Sequence, residues 1–222
     1  VASGATLSVL VVRSDRVASV GDLAAHAAEV VVVAAREARG IFDTTTSQGV
    51  LGLLERPRRT LDDVLGARGL LVLDGVSDPG NVGTLVRTAA GLGEGLGVVV
   101  GPESADPFGP KAARAAAGAL AWVPVVEVVD LAAALRRLAE EGFLRVGLDA
   151  HAPRRLEPTS RRVVLVVGSE AQGIAPATRE HLDELRALVV PPRVESLNAA
   201  IAGAIALWQV LGLGGQAADQ PS

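Results

Sequence analysis

The 222-residue chain contains no cysteine, no methionine and no tyrosine. It has a single lysine, Lys111, so all but one of its 21 basic residues are arginine. Without cysteine there is no disulfide framework, thiol nucleophile or thiolate metal site. The three histidines, His26, His151 and His181, lack metal-ligand spacing, and no metal site is expected. Aromatic residues make up 2% of the chain, which excludes a stacked aromatic platform as the main device for holding RNA. The formal charge is −4, and this acidity argues against non-specific binding of polyanions. The arginine excess reads first as a GC-rich coding bias. No basic region followed by a long apolar run opens the chain, so no targeting segment is expected. An initiator Met is also missing, and a truncated or processed start is expected. The most apolar stretch, Leu197 to Leu213, is short of the ~20 residues of a membrane span and is interrupted by Asn198 and Gln209. It is read as a buried or interface helix in a soluble, cytoplasmic protein with no membrane contact.

Apolar residues are 49% of the chain, enough to build a core and to exclude disorder as the main state. The first part, residues 1–58, alternates short apolar runs at Leu7 to Val12, Val30 to Val33 and Gly49 to Leu54 with a helical stretch near Asp22 to Ala28. Arg56-Pro57-Arg58-Arg59 then reads as a linker. From Leu70 onward, strand and helix signals alternate. Strands are predicted at Leu70 to Leu73, Val98 to Val100, Pro124 to Val129, Leu144 to Leu148, Val163 to Val167 and Ala187 to Val190. Helices are predicted at Asn81 to Ala90, Lys111 to Leu120, Leu131 to Glu141 (capped by Asp130) and Ser196 to Leu211. This pattern predicts an α/β domain over residues 66–213, an open and mostly parallel sheet with helices on both faces. The tail, residues 214–222, is polar and expected to fray.

Such sheets bind ligands at the carboxyl ends of their strands. The loop after the first of these strands runs Asp74-Gly75-Val76-Ser77-Asp78-Pro79-Gly80-Asn81-Val82-Gly83, with Arg87 one helical turn further on. Asn81 alone reads equally well as a helix cap. No G-x-G-x-x-G or Walker A pattern is present, so a nucleotide-binding Rossmann oxidoreductase lacks its fingerprint and carries little weight. A second loop is Gly168-Ser169-Glu170-Ala171-Gln172-Gly173-Ile174. In isolation it is a tight turn with a solvated glutamate. The third piece, Pro191-Pro192-Arg193-Val194-Glu195-Ser196-Leu197-Asn198, enters the last helix, with Ser196 a candidate N-cap.

In order and in spacing, the three pieces resemble the three motifs of the SpoU (TrmH-like) RNA ribose methyltransferases. The stretch Asp106-Pro107-Phe108 to Leu120, followed by Val123-Pro124-Val125, is also similar to that family. The resemblance covers roughly Leu70 to Leu213. Before it, Thr44 to Leu51 looks like the end of the family's small RNA-substrate-binding domain, whose usual opening helix and strand are not present.

The resemblance implies a SPOUT-class fold with a C-terminal trefoil knot, binding S-adenosylmethionine, with two subunits packed to complete the site. It implies methylation of a ribose 2′-hydroxyl in structured RNA, ribosomal or transfer. Asn81, Arg87, Glu170, Ser196 and Asn198 match the family's polar site residues. Val167, Gly168, Gly173, Val190, Pro191 and Leu197 match positions that hold the cofactor. Arg87 is expected to grip a phosphate and stabilise a developing alkoxide, since a guanidinium is a poor base. Asn81 is expected to orient Arg87 or the RNA. The loop after Val190 is shorter than the family's and lacks its glycine. That departure supports a rival reading, a family member that binds RNA or a partner without catalysis. The arginine groups Arg56/Arg58/Arg59, Arg154/Arg155 and Arg161/Arg162 are candidate RNA contacts or simply solvated surface.

Overall fold

The computed structural model describes residues 6–42, 48–189 and 197–213. The chain divides into two compact units, residues 1–58 and 59–222. In the first unit β1 (Leu7–Arg13) lies between β2 (Ala27–Val33), parallel to it, and β3 (Val50–Leu54), antiparallel to it. Leu7, Leu10, Val12 and Val20 make its main buried cluster. The predicted helix near Asp22 to Ala28 shrinks to one turn, α1 (Gly21–Ala24), because Ala27 already pairs with Leu7 as the first residue of β2.

The second unit is a six-stranded sheet in which every pairing is parallel. Its strands are β4 (Gly69–Asp74), β5 (Leu96–Val100), β6 (Val125–Glu127), β7 (Leu144–Leu148), β8 (Val163–Gly168) and β9 (Glu184–Arg186), in the order β6-β5-β4-β8-β7-β9. The helices are α2 (Pro79–Gly91), α3 (Pro110–Ala116), α4 (Leu131–Glu140), α5 (Pro176–Arg179) and α6 (Ala199–Val210). The central strands are continuous apolar runs because both faces are covered. Leu71, Leu73, Leu165 and Val167 face α2 and α6, whereas Leu70, Val72, Val164 and Val166 face α4. Asp130 caps α4 as expected, accepting from the Ala133 amide at 2.8 Å.

Three boundaries in particular differ from expectation, and β6 keeps only Val125–Glu127 of the predicted Pro124 to Val129. The alanine-rich helix ends at Ala116, because Ala117 and Gly118 both turn left-handed (φ 48° and 87°) before a 3-10 turn at Ala119–Ala121. The edge strand is Glu184–Arg186 rather than Ala187 to Val190; of the latter, Ala187 makes one isolated bridge to Arg155. The last helix begins at Ala199, with Asn198 as its N-cap in place of Ser196. Asn198 Oδ1 accepts from the Ala200 and Ile201 amides at 3.0 and 3.3 Å, so this side chain provides the first-turn acceptor. The tail, residues 214–222, lies outside the described residues, as do Thr44 to Ser47.

Helix α2 is held on two sides by close contacts at glycines. A Cβ on Gly83 would collide with the Ala112 carbonyl of α3. On α6, a Cβ on Gly203 would run into the Leu85 side chain of α2. These contacts fix α2, and with it the loop after β4, against the start of α6.

Candidate active site

Strand order reverses at β4. The chain builds outward through β5 and β6, then returns on the other side of β4 through β7 and β8. The crevice therefore lies where β4 and β8 end side by side, with Asp74 opposite Gly168. Both predicted loops leave the sheet here.

The loop after β4 turns directly into α2. Asp78 is the N-cap, accepting from the Gly80 amide at 2.8 Å, and Pro79 fills the first helical position. Lys111 Nζ reaches the same Asp78 oxygen at 3.0 Å. The Gly80 amide first, and then Lys111, hold the Asp78 carboxyl below the ordinary carboxylate range. Because Asp78 caps the helix, Asn81 is relieved of that role and projects from the third helical position.

The loop after β8 doubles back at once. Ser169 and Gly173 exchange amide and carbonyl bonds at 3.0 and 2.9 Å. A Cβ on Gly168 would collide with the Gly173 backbone, so this glycine makes the tight return feasible. Buried Asp74 anchors the far side of the loop by accepting from the Ala175 amide at 2.7 Å. Glu170 is left exposed at the tip.

Three side chains from three elements meet there. Asn198 Nδ2 donates to Asn81 Oδ1 at 3.1 Å, and Asn81 Nδ2 donates to Glu170 Oε1 at 2.5 Å. The direction of the chain follows from α6. Backbone amides require the Asn198 oxygen, so its NH2 must face Asn81, and the Asn81 NH2 must face the carboxylate.

Arg87 is not part of this cluster. Six residues along α2 carry it about 9 Å up the axis and about 240° around it from Asn81. It is exposed and lines a cleft at the opposite end of the sheet, where β4, β5 and β6 begin. Of the two roles expected of Asn81, orienting Arg87 or the RNA, the first is not met within one chain, where Asn81 bonds Glu170 and Asn198. Ser196, Val190 and Pro191 lie outside the described residues. Of the other expected cofactor positions, Val167 is buried at the end of β8, Gly173 has φ +68°, and Leu197 is half-buried just before α6.

The arginine groups also divide. The Arg162 guanidinium is engaged within the protein: it stacks 4.0 Å from the Phe143 ring centroid and donates to the Ala67 and Glu141 carbonyls. Arg155 donates to the Leu188 carbonyl at 3.4 Å. Sequence reasoning overlooked Asp78 with Lys111, and Trp122, an exposed indole in an alanine-rich stretch. An aspartate just before a proline at a helix start was a readable cap signal for the first.

The family model described as the SpoU rRNA Methylase family matches residues 69–208. The chain is 36% identical over 160 residues to the 23S rRNA (guanosine-2'-O-)-methyltransferase RlmB of Xylella fastidiosa, covering 71% of this chain and 64% of that protein. It thus spans somewhat under two thirds of that relative's length. Among solved structures, the AdoMet-bound rRNA methyltransferase from Sinorhizobium meliloti superposes with a TM-score of 0.79 at 26% identity, over 93% of this chain and 80% of that one. The SpoU methyltransferase AviRb from Streptomyces viridochromogenes shares the fold, with a TM-score of 0.83 at 22% identity over 96% of this chain and 85% of that one. Sequence and fold agree: the chain belongs to the SpoU rRNA methylase family.

Proposed function

We propose that this chain transfers a methyl group from S-adenosylmethionine to a ribose 2′-hydroxyl in structured RNA, with ribosomal RNA the first class to try. The observation that carries the reading is the Asn198–Asn81–Glu170 chain, which joins all three family motifs at the carboxyl ends of β4 and β8. The crevice suits the cofactor. Leu197 offers a half-buried apolar side chain beside it, and a Cβ on Gly173 would meet only the end of the Arg179 side chain, at 3.7 Å. Val167, Gly168, Gly173 and Leu197, with Val190 and Pro191, would hold it. When bound, S-adenosylmethionine supplies a sulfonium methyl as the electrophile.

The protein's share is positioning and charge. Asn81 and Asn198 fix one oxygen of Glu170, leaving the other to hold the substrate in geometry together with Ser196. Arg87 grips the phosphate beside the acceptor ribose and stabilises the developing alkoxide. Because Arg87 stands apart from Glu170 in one chain, we assign it to the crevice of a second copy, with α6 in the contact. The C-terminal segment forms the family's trefoil knot, residues 1–58 contribute RNA binding, and the enzyme is cytoplasmic.

Calorimetric titration with S-adenosylmethionine and S-adenosylhomocysteine, paired with a methyl-transfer assay on 23S rRNA, tests this. Saturable binding and 2′-O-methylation that Arg87→Lys sharply reduces are expected. A folded protein that binds neither compound would instead favour a module that docks RNA without catalysis.

A further inference from the structure

The cleft that Arg87 lines is built from the second unit alone and has a volume of about 790 Å³. Its walls are the C-terminal half of α2, the 3-10 turn at Leu61–Val64, the turn between α2 and β5, and the segment from Ala116 to Pro124. We propose that it is an RNA subsite in which one nucleobase stacks on Trp122 while Arg87 binds the adjoining phosphate. The proposal rests on the methyltransferase reading and adds to it a substrate-contact residue outside the three motifs.

Trp122 is 65% exposed, whereas its neighbours Ala119 and Val123 are buried. The backbone sets this display. The left-handed Ala117 and Gly118 end α3, and the Trp122 and Val123 amides then both donate to the Ala119 carbonyl, at 2.9 and 3.0 Å. The indole therefore stands on a hydrogen-bonded turn.

Its surroundings differ from those of the other tryptophan. Trp208 shares its exposed helix face with Ile201 and Ile205, an aliphatic stripe suited to a protein surface. Trp122 shares its cleft with a guanidinium, two carboxylates and several glycine backbones. Arg87 forms no ion pair or hydrogen bond among the described residues. An aromatic face beside a cation is the chemistry that takes a base and its phosphate. Asp63 and Glu94, also in the walls, would repel phosphate and accept from the N–H groups of a base edge. Asp63 uses Oδ2 for the Thr60 amide and hydroxyl, leaving Oδ1 as an acceptor. Guanine, with adjacent N–H donors on its Watson–Crick edge, fits best. A lone tryptophan provides one stack, which the low aromatic content allows.

The test titrates the whole chain with a short single-stranded RNA containing one guanosine, following tryptophan emission. Quenching is expected in the wild type and not in Trp122→Phe, which retains only Trp208. In the methyl-transfer assay, Trp122→Ala should raise the KM for RNA about tenfold or more with kcat held, and Trp122→Phe should restore most of it. Replacing the guanosine with uridine should weaken quenching. Quenching that persists in Trp122→Phe, or an unchanged KM in Trp122→Ala, overturns the proposal. A wild type that methylates no RNA sinks the methyltransferase reading instead, and RNA quenching at Trp122 still decides the stacking.

Discussion

An asparagine that caps a helix has its amide orientation set by the backbone, and at Asn198 that constraint is passed on. Its oxygen is committed to α6, so its nitrogen must donate to Asn81, and Asn81 in turn to Glu170. The two functions of Asn198 can be separated. Asn198→Asp retains the capping oxygen and adds a charge favoured at a helix start, but sets an acceptor against the Asn81 oxygen. Turnover should fall about tenfold to a hundredfold, the effect of losing a hydrogen bond that leads to a charged group, with little change in melting temperature. Asn198→Ala should lose turnover and in addition about 1 kcal/mol of stability. Thermal melts alongside methyl-transfer rates check both, and equal stability losses in the two variants would contradict the argument. Asn81, Glu170 and Asn198 were legible as motif positions. The separation of Arg87 was not, because six residues look close in a sequence while a helix turns them onto different faces.

At the scale of elements, legibility followed burial. Strands β4, β5 and β8 are covered on both faces and so read as unbroken runs of Leu and Val. Edge strand β9 has no such signature, since Glu184, Leu185 and Arg186 are all half-buried. Polar contacts fix it instead. Arg145 of β7 donates to Asp183 from its backbone amide at 2.8 Å and from its guanidinium at 2.6 Å, while the Asp183 amide donates back to the Arg145 carbonyl. Arg145 holds the Asp183 carboxyl below its ordinary value of 3.8. A depressed carboxyl stabilises the fold fully above the unfolded value, and that contribution is lost as pH falls below 3.8 through the folded value. Asp183 is over a third exposed, so solvent screening limits the effect to about 1 kcal/mol. Urea unfolding should show Asp183→Asn less stable than wild type at neutral pH, with the gap closing in strong acid. A gap that widens on acidification would mean that the pair does not hold the edge.

For the molecule as a whole, α6 poses the decisive question. Its inner face packs Ala200, Gly203, Leu207 and Val210 into the core, yet Ile201, Ile205 and Trp208 remain exposed on the outer one. A helix that is apolar all round is expected to be covered. A second copy would cover it and would also supply the arginine that a single crevice lacks. Ile205→Glu should then shift sedimentation toward the monomer, keep the circular dichroism spectrum and abolish methyl transfer. A sharper experiment mixes two inactive variants, Arg87→Ala and Asn81→Ala. If one copy supplies Arg87 and the other Asn81, random subunit exchange makes half the dimers mixed, each with one intact site. Activity should recover to about a quarter of wild type. If each chain completes its own site, every site in every combination carries a lesion, and mixing restores nothing.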